Sequence, residues 1–288
     1  MPDEFREEIA SFRAVLLAIA GLLGVGAGTL AYAWGVEPDR IEVSRIRLRL
    51  PRLSPRFNGY RLVQISDIHA GEWLPTRRLQ RVVDMVNDER PDLVAVTGDF
   101  VTYTHKGAHN ATVPALKRLC AKDGVAAVMG NHDFWGYPGP VQVRHIIRDS
   151  GMIDLNNRVH TLRRDGEMLH ICGVNTAKLR RDRLDWVLAR LPEEGAAILL
   201  AHEPDVADKT AATGRFDLQI SGHSHGGQIV LPVLGPPRLP PLGRKYPTGL
   251  YKVGDMALYT NRGLGMVGLP MRFLARPEIS VFTLEAGV

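Results

Sequence analysis

Leu218-Gln219-Ile220-Ser221-Gly222-His223-Ser224-His225-Gly226-Gly227-Gln228 runs from a short apolar stretch straight into a pair of histidines, and the same construction occurs four times upstream. Leu62 to Ile65 leads into Asp67-Ile68-His69, Leu93 to Val96 into Gly98-Asp99, Val125 to Met129 into Gly130-Asn131-His132-Asp133, and Ile198 to Leu200 into His202. Apolar runs of this length, bounded by polar breaks, predict strands buried on both faces. Open α/β sheets gather their chemistry at the carboxyl ends of strands. The five runs should therefore bring their terminal polar residues to one place.

Those residues are Asp67, His69, Asp99, Asn131, His202, His223 and His225. Carboxylate, amide and imidazole donors without a thiolate suit divalent cations of borderline hardness, with manganese the first expectation and iron, zinc or cobalt also suited. Seven donors exceed what one ion takes. Two ions roughly 3.5 to 4 Å apart, sharing a carboxylate, accommodate the set and form the clamp used in phosphoester hydrolysis. Asp99, alone at its strand end after a glycine, is the natural bridge.

The five blocks, in this order, resemble the calcineurin-like metallophosphoesterase superfamily over about residues 58 to 288. Gly226-Gly227-Gln228 after the last histidine pair, Asn261-Arg262-Gly263-Leu264-Gly265 and the stretch Pro270 to Ile279 look closest to its membrane-associated bacterial phosphodiesterase branch. The resemblance implies one metal on Asp67, His69, Asp99 and His225 and a second on Asp99, Asn131, His202 and His223. It also implies attack on phosphorus by hydroxide bridging the ions. His132 is not a ligand in the family pattern, so it is expected to stabilise the transition state or act as general acid, with Asp133 orienting its imidazole. The implied fold is a four-layer α/β/β/α sandwich of two mixed sheets. Helical spacing of Leu79, Val82, Val83 and Val86, and of Leu184, Val187, Leu188 and Leu191, fits helices between the ligand strands.

A second informative region is the amino-terminal segment. Ala14 to Val36 is 23 residues without a charge, enough to span a hydrocarbon core of about 30 Å. Glycines at 21, 24, 26 and 28 are compatible with a membrane helix. Ala31-Tyr32-Ala33 could instead serve as a signal-peptidase site, but Asp3, Glu4, Glu7 and Glu8 precede the run where a basic region would be required. The expected layout is a polar tail (1–13), one transmembrane anchor (14–36), a basic connecting strand region (37–57) and the metallophosphoesterase domain (58–288). Arg40, Arg45, Arg47, Arg49, Arg52 and Arg56 follow the span, which favours a catalytic domain facing the cytoplasm from the bacterial inner membrane. The period-two alternation from Arg45 to Leu50 describes an ordinary strand with one solvated face equally well.

Net charge is +5 with a pI near 9.4. No basic stripe interleaved with aromatics points to nucleic acid, so a membrane surface or a phosphorylated, lipid-linked substrate is the expected partner. Leu231, Val233, Leu234, Leu239 and Leu242, in or beside the Pro-rich stretch Pro232 to Pro247, read either as a hydrophobic rim near the site or as inward-packed residues of a rigid connector. His105 and His109 lie just after Asp99 and are candidates for substrate contact. Two cysteines, Cys120 and Cys172, form no disulfide framework. The expected activity is hydrolysis of a phosphodiester or pyrophosphate, with UDP-2,3-diacylglucosamine pyrophosphatase action as a sharper alternative. A non-catalytic metal-binding scaffold is the reading from another class, and the complete ligand set argues against it.

Overall fold

A computed structural model describes residues 24, 26–71, 74–105 and 107–287. Its twelve strands form two mixed six-stranded sheets. The first has the order β1 (Glu42–Leu50), β12 (Glu278–Ala286), β2 (Tyr60–Ile65), β3 (Leu93–Thr97), β4 (Val125–Val128), β5 (Ile153–Asp154). The second runs β10 (Gly249–Val253), β11 (Met256–Thr260), β9 (Leu218–Ser221), β8 (Ala196–Leu200), β7 (Glu167–Gly173), β6 (Arg158–Arg164). β2 to β5 are mutually parallel, as are β7, β8, β9 and β11.

Alternation along each strand divides its side chains between two cores. Leu62, Leu93, Ala95, Ala126 and Val128 of the first sheet meet Leu169, Ile171, Ile198, Leu200, Leu218 and Ile220 of the second. The intervening residues, such as Val63, Ile65, Val94 and Val96, point outward against helices α2 (Thr76–Asp88), α3 (Ala108–Leu116) and α4 (Pro140–Asp149). On the far side Ala197, Leu199 and Leu258 pack beneath α5 (Leu184–Leu188) and α6 (Ala207–Ala211). The layers are thus helix, sheet, sheet, helix. Strands buried on both faces need no polar alternation, which is why the ligand strands read as continuous apolar runs. In α2 the buried residues are Leu79, Val82, Val83 and Val86, the stripe the sequence predicts.

The segment 37–57, expected to be a connector, belongs to the folded unit. β1 lies at the edge of the first sheet, parallel to β12 from Glu42–Glu278 through Leu50–Ala286. Leu48, Leu50, Leu53 and Phe57 are buried in the central core, while Arg45, Arg47 and Arg49 face solvent. The alternation is therefore that of a strand. Its long-range pairing with the last strand of the chain could not be inferred from local pattern.

Residues 14–23 and 25 of the expected anchor lie outside the described residues. Its end forms α1, helical over residues 26–35, and among the described residues no helix is long and apolar enough to cross a membrane. The end of α1 is fastened to the domain: Arg272 N donates to Ala33 O at 2.9 Å, and Ala275 N donates to the buried Glu37 carboxylate at 2.7 Å.

Candidate metal centre

Each candidate ligand sits immediately beyond a strand: Asp67 and His69 after β2, Asp99 after β3, Asn131 after β4, His202 after β8, and His223 and His225 after β9. Both sheets deliver these ends to the same edge of the sandwich. Below them Gln64 Nε2 bridges Thr97 Oγ1 and Ser221 O, each at 2.9 Å, and so ties the first sheet to the second. All seven residues are buried.

Two groups of donors form. Atoms of Asp67, His69 and His225 lie within 4.8 Å of one another, and so do atoms of Asp99, His202 and His223. The groups adjoin: His69 Nε2 is 3.7 Å from Asp99 Oδ2, His202 Nε2 is 3.1 Å from the same oxygen, and His202 Nε2 is 4.0 Å from Asp67 Oδ1. Asp99 therefore faces both groups, where a bridging carboxylate belongs. His69 Nε2 and both amide atoms of Asn131 are buried without a hydrogen-bond partner. Orphaned polar atoms are costly in a protein interior, and cations in the two groups would satisfy them. The donor set thus fits two divalent ions.

Outer contacts fix which ring nitrogen faces the centre. Thr97 O accepts from His202 Nδ1 at 2.8 Å, leaving Nε2 toward Asp99. Pro241 O accepts from His223 Nε2 at 2.9 Å, leaving Nδ1 as the ligand atom. Burial lowers the pKa of His69 to about 3 and of His223 to about 4, and holds His225 well below its usual value. These three imidazoles are neutral at physiological pH, the state in which they bind a metal. Burial, reinforced by Asp99, lifts Asp67 to about 6 against the pull of His202. For His202, burial is outweighed by the carboxylates of Asp99 and Asp67, which hold its pKa well above normal. A cation between them would replace that proton.

The backbone at the centre is strained. Asp67 (φ 49°), His69 (φ 45°), Asp99 (φ 52°), His223 (φ 70°) and His225 (φ 52°) all adopt left-handed conformations. Non-glycine residues do so rarely, and the cost is tolerated mainly where surrounding structure enforces a functional geometry. Glycines make room around them. A methyl built at Gly222 would overlap Ser66 Oγ and Asp67 Oδ2, and one at Gly130 would overlap Asp99 Oδ1.

His132 lies at the rim of the centre, its ring 4.8 Å from that of His69 and nearly perpendicular to it. Its Nδ1 is 3.1 Å from Thr102 O, so a protonated Nδ1 donates there and Nε2 is the free nitrogen. The expected role of Asp133 is corrected. Its carboxylate accepts from the backbone N–H groups of Asp99, Phe100, Val101 and Gly130, at 2.8 to 3.4 Å, and makes none of the hydrogen bonds of the His132 ring. Asp133 therefore shapes the loop that carries Asp99, and the Thr102 carbonyl orients His132. His105 and His109 are not brought into the centre; His109 pairs with Asp149 at 2.8 Å, and the backbone N–H of His105 donates to Gln142 Oε1.

Three contributors escaped the sequence reading. Trp135 packs against His132 with ring centroids 4.0 Å apart, and the exposed Tyr103 stands beside both rings. Trp135 lies four positions after Asn131, the only local signal. Arg272 is fully buried. Its guanidinium donates to the carbonyls of Ala275, Arg262, Gly263 and Gly265, and Nη2 lies 3.5 Å from His225 Nδ1. It thereby braces the 262–265 loop, whose Gly265 N donates to Asp67 O at 2.7 Å.

A two-sheet α/β sandwich with two adjoining groups of candidate metal ligands at its strand ends is the arrangement of a metal-dependent phosphoester hydrolase. The chain belongs to the calcineurin-like phosphoesterase family, whose pattern matches residues 60–227. It is 38% identical over 285 residues to the metallophosphoesterase YkuE of Bacillus subtilis (strain 168), covering 96% of this chain and 98% of the relative. It is 26% identical to the phosphodiesterase YaeI of Escherichia coli (strain K12), covering 95% and 99%. A transmembrane protein with a metallophosphoesterase domain from Danio rerio is 29% identical over 96% of this chain, which spans 63% of that protein's length.

Proposed function

We propose that this protein is a membrane-anchored, dinuclear phosphoesterase that hydrolyses a phosphodiester or pyrophosphate bond in a membrane-associated or lipid-linked substrate. The observation that carries the chemistry is the pair of adjoining donor groups facing Asp99. Asp67, His69, Asp99 and His225 would hold one ion and Asp99, Asn131, His202 and His223 the other, with manganese first among the suited metals. Two such ions supply a water of lowered pKa and neutralise the phosphoryl oxygens. The chain's own residues do the rest. His132, oriented by Thr102 O, offers Nε2 as proton donor to the leaving oxygen, a role worth about 10² to 10⁴ in rate. Asp133 and Arg272 keep the ligand-bearing loops in place.

The name of the E. coli relative favours a diester. Anchoring is supported by the uncharged run 14–36, by the exposed apolar surface of α1, and by the name of the Danio rerio relative. The basic residues after the run favour a catalytic domain on the cytoplasmic face of the bacterial inner membrane.

Detergent-purified, manganese-loaded, full-length protein should cleave an aryl phosphodiester and lose that activity to a chelator. The same preparation incubated with UDP-2,3-diacylglucosamine tests the narrower pyrophosphatase reading: release of UMP and lipid monophosphate would support it, and none from protein active on the aryl diester would remove it. Bound metal without turnover of any phosphoester would sink the enzymatic reading and favour a scaffold.

A further inference from the structure

Three segments meet beside the metal centre and expose apolar side chains together. Gln228 is three positions beyond His225, and residues 228–230 pair with Phe273: Phe273 N donates to Gln228 O at 3.0 Å and Val230 N to Phe273 O at 2.8 Å. The chain then turns through 231–235, closed by reciprocal hydrogen bonds between Leu231 and Gly235. Arg272 N in turn donates to Ala33 O of α1. The loops 228–235 and 267–275 and the end of α1 are thus one hydrogen-bonded assembly.

Its apolar tips face outward. Val233 is 105% exposed, Leu234 81%, Trp34 58% and Leu274 56%. Scattered exposed leucines are ordinary, but a contiguous patch marks an interaction surface. Val233 (φ 68°) and Leu274 (φ 52°) are also held in left-handed backbone, which is unfavourable for a β-branched or bulky residue. Water gives no return for presenting them in this way. Arg238 and Arg276 are exposed in or beside the same loops, placing cations next to the apolar tips, as a surface bearing anionic lipids requires. The uncharged run 14–36 leads directly into this assembly.

We propose that the tips of loops 228–235 and 267–275, continuous with the exposed side of α1, enter the headgroup region of the bilayer and seat the metal centre against it. This rests on the membrane-anchored reading above and adds a surface and an orientation to it. A lipid-linked phosphoester would then reach the ions along the bilayer plane, beneath the two loops that bear Arg272 and His225. In the Pro-rich stretch Val233 and Leu234 face outward, as a hydrophobic rim requires, whereas Leu239 and Leu242 are partly buried.

The test uses full-length protein carrying Cys120→Ser, with a single reporter cysteine introduced as Val233→Cys, Leu274→Cys or, as a distant control, Asp165→Cys. Each is labelled with an environment-sensitive fluorophore and reconstituted into phosphatidylethanolamine and phosphatidylglycerol vesicles containing brominated-chain lipid. Several-fold stronger quenching at positions 233 and 274 than at 165 is expected. Solvent-like, unquenched emission at both loop positions would overturn the proposal. Blue-shifted but unquenched emission would also overturn it, and would mean that a second copy of the chain covers the patch. Flotation of unsubstituted protein with the same vesicles reads the anchor separately, and its turnover of a soluble aryl phosphodiester reads the catalytic function. Flotation and turnover without quenching would reject this surface alone.

Discussion

Asp99 and His132 adjoin the same centre yet should respond differently to truncation. Asp99 Oδ2 faces both donor groups and its Oδ1 accepts from His132 N at 2.8 Å, so Asp99→Ala removes the bridge and loosens the loop behind it. Near-complete loss of aryl phosphodiester turnover is expected, with loss of bound metal by elemental analysis. His132→Ala should keep its metal and slow by about 10² to 10⁴; a depleted metal content would remove His132 from the proton-donor role. Asp133→Asn gives a third pattern. The carboxylate accepts four backbone N–H groups in a buried loop, and an amide would turn its own N–H₂ toward two of them. A stability loss of about 1 to 3 kcal/mol is expected, measured as the denaturant midpoint. The identities of all these residues were legible in sequence, because block order and spacing are local. The partner of Asp133 was not, since adjacency to His132 in the chain says nothing about which way a side chain in a tight turn points.

Among the elements, β1 changes the domain boundary most. It joins the sheet by parallel pairing with β12, a contact across almost the whole chain. Leu50 is buried in the core between the sheets, and Leu50→Ala should cost about 2 to 5 kcal/mol in an equilibrium unfolding experiment. A cost near zero would restore the connector reading of 37–57. The arginines of β1 have structural partners as well: Arg45 pairs with Glu89, and Arg47 lies 3.8 Å from Glu285. Exposed pairs of this kind contribute little to stability. Helix α2 and the five ligand strands were readable from periodicity and apolar run length. β10, antiparallel to β11, and β12, antiparallel to β2, carry no ligand and gave no comparable signal.

For the whole molecule, the seven candidate ligands come from both sheets, so an ion held there clamps the sandwich as well as serving the chemistry. Binding that favours the native state stabilises it by about 2.7 kcal/mol when the free ion is at 100 times its Kd. Manganese should accordingly raise the thermal midpoint by several degrees in a concentration-dependent way, and a chelator should reverse the shift. An unchanged midpoint across the titration would mean that the native protein holds no ion at this site. The sequence by itself determined the α/β class, the metallophosphoesterase family and which residues are candidate ligands, because each candidate is tied by a few peptide bonds to the end of an apolar strand. Only the tertiary structure decided what lies across the gaps between those strands. It showed Asp99 facing both donor groups, Arg272 bracing His225 from 47 positions away, the first strand pairing with the last, and Val233 pointing outward. Such contacts depend on how two sheets pack and on which loops close over their common edge, and no local pattern of residues encodes that.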